Sequence, residues 1–329
     1  MPALCTALFT GVLMAFARSA PGYDMLLLDR VLPGAGWAQV VLAAVLAWWL
    51  YGKLIDPATH NLWRRRLWWL FSAIFFGQFF LGLAVDEIFL MTGRLHFPVP
   101  MMIEAGPLYR MQFSFMPILF LITVLISGGA WCSQLCYMGG ADMAAAAATR
   151  RKGIVRPVRG RWWMRGGAVV IVAAVALILR ATEAPGWLAV ALVAAWGAAG
   201  WAIVAFVSRR KGQMVHCNVY CPIGAMVSVL KWVNPVRIRF SMQCTGCMKC
   251  AAVCRYAAIT ARDMERGRPA FNCTACGDCH AVCAHSGVEY GLPFGKRAAR
   301  TKRRSERVRK AYTIIVVALY VSFVMLARI

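Results

Sequence analysis

Two stretches of this chain, CTGCMKCAAVC at 244–254 and CTACGDCHAVC at 273–283, each place four cysteines in the spacing C-x2-C-x2-C-x3-C. Thiolates are soft ligands, and the spacing suits iron–sulfur chemistry. Three thiols in a tight loop can wrap one face of a four-iron cubane while the fourth reaches away to a neighbouring cluster. The pattern predicts two [4Fe-4S] clusters, one on Cys244, Cys247, Cys250 and Cys283, the other on Cys273, Cys276, Cys279 and Cys254. Zinc also accepts four thiolates, but its structural sites usually come as two C-x2-C knuckles rather than interlocked triplets. Between the motifs, AAITARD, MERGRP and AFN read as strand, Gly-Pro turn and strand, giving a hairpin.

Four more cysteines form two C-x3-C pairs, Cys132 and Cys136 in WCSQLCYMGG and Cys217 and Cys221 in HCNVYCPIGA, offset by 85 residues. Each pair follows two apolar runs and precedes a short helix-forming stretch, which predicts a parallel internal repeat. If the repeats converge, four thiolates meet at the membrane edge. A third iron–sulfur cluster is the functional reading of that set; a reducible disulfide, a copper site and inert packing cysteines also satisfy the spacing. His216 beside Cys217 reads as a polar interface residue, and Cys5 stands alone.

Something must hold these thiols in place, and the composition, 60% hydrophobic, says what. Apolar runs at 36–51, 67–85 and on toward 91, 112–131, 163–179, 186–207 and 311–327 approach the roughly 20 residues that a helix needs to cross a bilayer. Trp162, Trp163 and Arg165 are placed to reach back to an interface. The uncharged opening MPALCTALFTGVLMAFA reads as a seventh, short helix or an interfacial one; it lacks the positive start of a signal peptide. The fold class is thus an α-helical integral membrane protein of six to seven spans carrying a small α+β cluster domain. The divisions are a membrane domain at 1–239, a two-cluster domain at 240–290, a basic linker at 291–310 and a last span at 311–329.

A net charge of +24 would suggest nucleic acid in a soluble protein, so its placement decides. With spans alternating, 31 of the 37 Lys and Arg fall on one side, including KRAARTKRRSERVRK before the last span. That asymmetry puts the basic side, with the cluster domain, in the cytoplasm of a bacterial inner membrane, facing anionic headgroups. Nucleic acid is excluded as a partner. Thiols there stay reduced, which favours metal ligation over disulfides for most of the 13 cysteines.

With paired C-x3-C motifs after membrane runs and then a two-cluster module, the chain over about 67–290 resembles the membrane-bound polyferredoxin family, the group of NapH, MauN and NosR. The family pattern is C-x3-C-P, which here only the second pair keeps, as Cys221 and Pro222; Tyr137 stands in the first. The Pro usual after the fourth module cysteine is Arg255 in one copy and Ala284 in the other. The resemblance implies a bacterial-type ferredoxin fold for the module. It also implies electron transfer between the quinone pool, the clusters and a partner subunit of a redox complex.

The remaining residues narrow the chemistry. None of the five histidines lies in an apolar run, which disfavours membrane haem, and no dinucleotide fingerprint or hydrolytic constellation stands out. Gln78, Asp86 and Glu87, with His96, Glu104, Tyr109 and Arg110 in the outer loop, are the polar groups near a quinone's path. The plainer reading makes Asp86 and Glu87 a helix end and the loop a cap. An inner quinone site near Trp131 and Trp232 is the other option. The competing functions are a maturation factor whose rim thiols bind or reduce copper, and a structural anchor.

Overall fold

A computed structural model describes residues 1–20, 25–89, 99–112, 115–149, 153–292 and 302–326. Five helices are long and apolar enough to cross a membrane: Gly36–Ile55, Pro57–Ala84, Arg161–Ala181, Gly186–Lys211 and Lys302–Leu326. Their starts are encoded locally. Asp56 accepts a hydrogen bond from the Ala58 amide (3.0 Å) and is followed by Pro57, so the second long helix begins with a side-chain cap and a proline at its first position.

Two further apolar helices are shorter. Pro2–Arg18 has 17 residues, the length of its uncharged run, and among the described residues the run at 112–131 holds the 13-residue helix Phe115–Ser127. At 1.5 Å per residue the latter covers about 20 Å, short of a ~30 Å hydrocarbon core. It ends because Gly128 takes a left-handed backbone (φ 59°) and turns the chain toward the thiol-bearing segment.

The packing is that of a protein surrounded by hydrocarbon. Trp37, Val41, Leu42, Val45 and Trp48 are exposed on the first long helix, while Ala43, Ala47 and Leu50 are buried. The last helix is the central one, with half of its apolar window buried against 17% for Gly186–Lys211. It packs on Pro2–Arg18 and Gly36–Ile55, and the Gln39 amide donates to the Met325 carbonyl (2.6 Å). The helix already starts at Lys302, so residues 302–310 of the expected basic linker are helical; Ser305 Oγ accepts from the Tyr290 amide (3.0 Å).

The cysteine-rich module is closed by two strands, β1 (Arg237–Phe240) and β2 (Val288–Gly291), paired antiparallel from Arg237↔Gly291 to Phe240↔Val288. The expected hairpin between the motifs is not there. Ala261–Glu265 is a short helix, capped reciprocally by Thr260 and Asp263. Thr-x-x-Asp is a helix-start signal, and it outweighs the β-branched Ile259 and Thr260. What remains of a pairing is one bond from the Ala270 amide to the Ala258 carbonyl (2.8 Å).

Candidate functional site

The two motif loops share a backbone as well as a spacing. Residues with positive φ sit at matching places: Gly246 (70°) and Met248 (60°) in the first, Ala275 (54°) and Gly277 (93°) in the second, then Ala257 (47°) and Ser286 (52°). Positive φ is uncommon outside glycine, so its recurrence in Met248, Ala257, Ala275 and Ser286 marks a turn set by its surroundings. The fourth sulfurs are treated alike. Cys254 Sγ accepts from the Ala258 amide (3.4 Å) and Cys283 Sγ from the Gly287 amide (3.3 Å).

Cys244, Cys247, Cys250 and Cys283 line one pocket with Met264 and Val288. Cys254 lies close enough to Cys276 and Cys273 for their charges to act on it, after burial, the larger cause, raises its thiol well above the usual range. Cys279 is likewise raised, first by burial and then by Cys276, Cys273, Cys254 and, from the first motif, Cys250. Unmetallated, these thiols hold their protons, and a metal must displace them.

The C-x3-C pairs also repeat in structure. Cys132 lies in the π-helical turn Trp131–Leu135 and Cys217 in the π-helical turn His216–Tyr220. Cys136 and Cys221 are then extended (φ −97°, ψ 118° and φ −74°, ψ 117°) and lead the helices Tyr137–Ala147 and Pro222–Leu230. Gly139 and Gly224 pack against the carbonyls of Cys132 and Cys217; a Cβ on either would lie 2.8 Å from that oxygen. Neither second cysteine makes a full capping bond, yet amides of Gly139 and Met138 face Cys136, and those of Gly224 and Ile223 face Cys221. Burial is the larger influence, and with Cys221's charge it pushes Cys136 up to about 12. The four rim thiols come together: charges of Cys136, Cys221 and Cys132 all act on Cys217.

A small cavity joins the rim to the module, lined by Cys132, Cys217 and Cys273 together with Arg165, Lys231 and Tyr256. Arg165, expected at an interface, is instead 4% exposed, and its Nε and Nη1 have no hydrogen-bond partner; neither has Thr274 Oγ1. Buried donors without partners are costly. A negatively charged metal–thiolate group suits them. Among the described residues no three His, Cys, Asp or Glu converge closely enough to hold a single metal ion.

Sequence reasoning missed what docks the module. Arg64, 1% exposed in the second long helix, donates from Nε and Nη2 to the Asp278 carboxylate (both 2.6 Å) and from Nη1 to the Ser133 carbonyl (3.1 Å). Burial raises the Asp278 carboxyl, but the charge and hydrogen bonds of Arg64, with His60 and Arg65, bring it below the usual range. His60 Nε2 meets the Cys276 carbonyl (3.0 Å) and Lys231 Nζ donates to the Cys273 carbonyl (2.7 Å). Tyr256, two residues past Cys254, donates to the Cys132 carbonyl (2.7 Å) and accepts on its own carbonyl from Asn218 (3.0 Å) and Asn272 (2.6 Å). The usable signals were Asp278 inside the second motif and an arginine beginning an apolar run.

The quinone candidates do not form one site. Asp86 is exposed and accepts from the Ile88 amide (2.7 Å), as at a helix end; Gln78 is half-buried, and the side chain of Glu87 and all of His96 lie outside the described residues. Glu104 is buried among apolar side chains, with burial raising its carboxyl to about 7, while Tyr109 reaches the Ala184 carbonyl (3.4 Å) and Arg110 is exposed. Trp131 is buried between Phe120 and Phe323, whereas Trp232 is 69% exposed near Phe271, so the two do not share a pocket. Buried His216 packs on Tyr220 and Gly200. No protein-family model, curated protein or solved structure matches this chain.

Proposed function

We propose that this protein is an electron-transfer subunit of a bacterial inner-membrane complex, passing single electrons between the quinone pool and a partner redox enzyme. The observation that carries the reading is the continuity of thiols from bilayer to solvent. One thiol of each rim pair, Cys132 and Cys217, meets Cys273 in one cavity, Cys254 lies by Cys276 and Cys273 of the second motif, and the first motif ends at exposed Cys247. Bound iron–sulfur clusters would supply the one-electron carriers. The chain's own residues hold each set of thiols, exclude water from the rim, and through Arg64, Lys231 and Tyr256 keep the intervals between sites short and constant. The loops matched 29 residues apart and the turns matched 85 apart support a ferredoxin-like module and a parallel membrane repeat of the polyferredoxin kind. The basic side, module included, would face the cytoplasm.

The test is anaerobic purification with iron and copper analysis, comparing the native chain with a variant in which Cys132, Cys136, Cys217 and Cys221 are all Ser. A three-centre relay gives about twelve irons, falling to about eight in the variant. About eight irons in both, with copper lost from the variant, would move the rim to metal handling for another enzyme. A zinc-loaded, colourless protein ends the proposal.

A further inference from the structure

The buried cations around the rim cavity bear on the order of the relay, and the inference rests on the reading just given. Arg165 projects from the second turn of the third long helix and donates from Nη2 to Ser228 Oγ (2.9 Å) and to the Gly224 carbonyl. Gly224 is the residue that packs on the Cys217 carbonyl and offers its amide to Cys221, so the guanidinium lies against the second pair's own scaffold. Its other nitrogens, Nε and Nη1, are buried without partners in the cavity that Cys132 and Cys217 line. Lys231, 8% exposed, closes the same cavity from the module side, donating to the carbonyls of Phe271 and Cys273. On the far side Asp142, 0% exposed, accepts from the Cys217 amide (3.0 Å), placing one acid among the cations. The first motif's pocket has a different inventory: its only Lys or Arg is exposed Lys249, and His285 is exposed too.

Two effects oppose each other here. A thiolate-bound cluster gains negative charge on reduction, and burial disfavours the more highly charged state, which by itself would make the rim the hardest centre to reduce. A cation buried beside it acts with little screening and favours the reduced state. Arg165 has more donors aimed into the cavity than the protein satisfies, so the cation effect dominates. We propose that Arg165, supported by Lys231, sets the redox potential of the rim centre and makes it more readily reduced than the first motif's cluster. Arg165 is here a positioning and tuning residue, acting through charge and hydrogen bonds rather than as a ligand.

The test is a potentiometric EPR titration of the full-length, anaerobically purified protein, with Arg165→Gln, Arg165→Lys and Lys231→Gln beside the native chain and iron counted in each. In the native chain the rim signal titrates above that of the first motif's cluster. Arg165→Gln shifts its redox equilibrium at least tenfold toward the oxidised form, a fall of about 59 mV for one electron. Arg165→Lys restores most of that, and the first motif's cluster does not move. A rim potential at or below that of the first motif's cluster, an unmoved rim in Arg165→Gln, or an equal shift of all centres overturns the inference. If Arg165→Gln loses the rim iron, Arg165→Lys and Lys231→Gln decide, and an unshifted rim in both overturns it. About eight irons and no rim signal in the native chain would instead overturn the relay reading itself.

Discussion

The two cysteine motifs have one ligand spacing, one set of left-handed turns and one amide-to-sulfur contact, yet they occupy opposite environments. The first presents Cys247 to solvent in a loop where Gly246 has open space around it. The second is clamped. Gly129 of the membrane domain would place a Cβ only 2.6 Å from the Thr274 backbone, and Arg64 and Lys231 bond to residues inside the loop. The two loops therefore share a thiol-bearing backbone, and docking is what distinguishes them. The lesson is that ligand spacing describes capacity, and the neighbours of the loop describe use.

Breaking the clamp has the largest expected effect. Arg64→Met leaves the buried Asp278 carboxylate unpaired and should destabilise the docked module by about 3–5 kcal/mol, read as a lower unfolding midpoint and faster proteolysis across 237–291. The double change Arg64→Met with Asp278→Leu should recover most of the loss, because neither charge then remains buried. Next, Gly129→Val forces the membrane domain off the Thr274 backbone, at about 1–3 kcal/mol in the same assays.

Thiol labelling sharpens the contrast without perturbing the fold. In metal-free protein the amide of Lys249 holds the Cys247 thiol below its ordinary value, so its thiolate persists to lower pH than in free cysteine. Burial holds Cys279 above its own ordinary value. Alkylation followed by mass spectrometry should modify Cys247 at least tenfold faster near neutral pH, and the ratio should narrow as pH rises past the Cys247 value. Equal rates would mean that the two loops are not differently placed. The smallest effect belongs to Gly246→Ala. It puts alanine where the second motif already has Ala275 at φ 54°, costing about 1 kcal/mol, with iron content unchanged.

Much of the candidate site was legible because ligand spacing is a local property. The crossed sets, with Cys283 beside the first triplet and Cys254 beside the second, follow from reach along the chain, and the pocket lined by Cys244, Cys247, Cys250 and Cys283 has that composition. The five long helices lie where the apolar runs lie, since hydropathy is summed over residues adjacent in sequence. The hairpin reading of 257–272 failed against a competing local signal, the Thr260-x-x-Asp263 cap, and the run at 112–131 was cut short at Gly128. The role of Arg165 was misjudged for a different reason. A basic residue near the end of an apolar run normally turns toward water, and only the groove left by Gly224 and Ser228 gives it somewhere else to go.

By itself the sequence determined which thiols stand at metal-ligand spacing and that most of the chain is membrane-compatible helix, because each of these depends on spacing and composition within a few turns. Only the tertiary structure decided that Cys132, Cys217 and Cys273 share one cavity, and that Arg165, Lys231 and Tyr256 surround it. It alone paired Arg64 with Asp278 across 214 residues. Such pairings join segments far apart along the chain, and burial gives them their strength through the exclusion of water, a property of the folded molecule that no local pattern encodes.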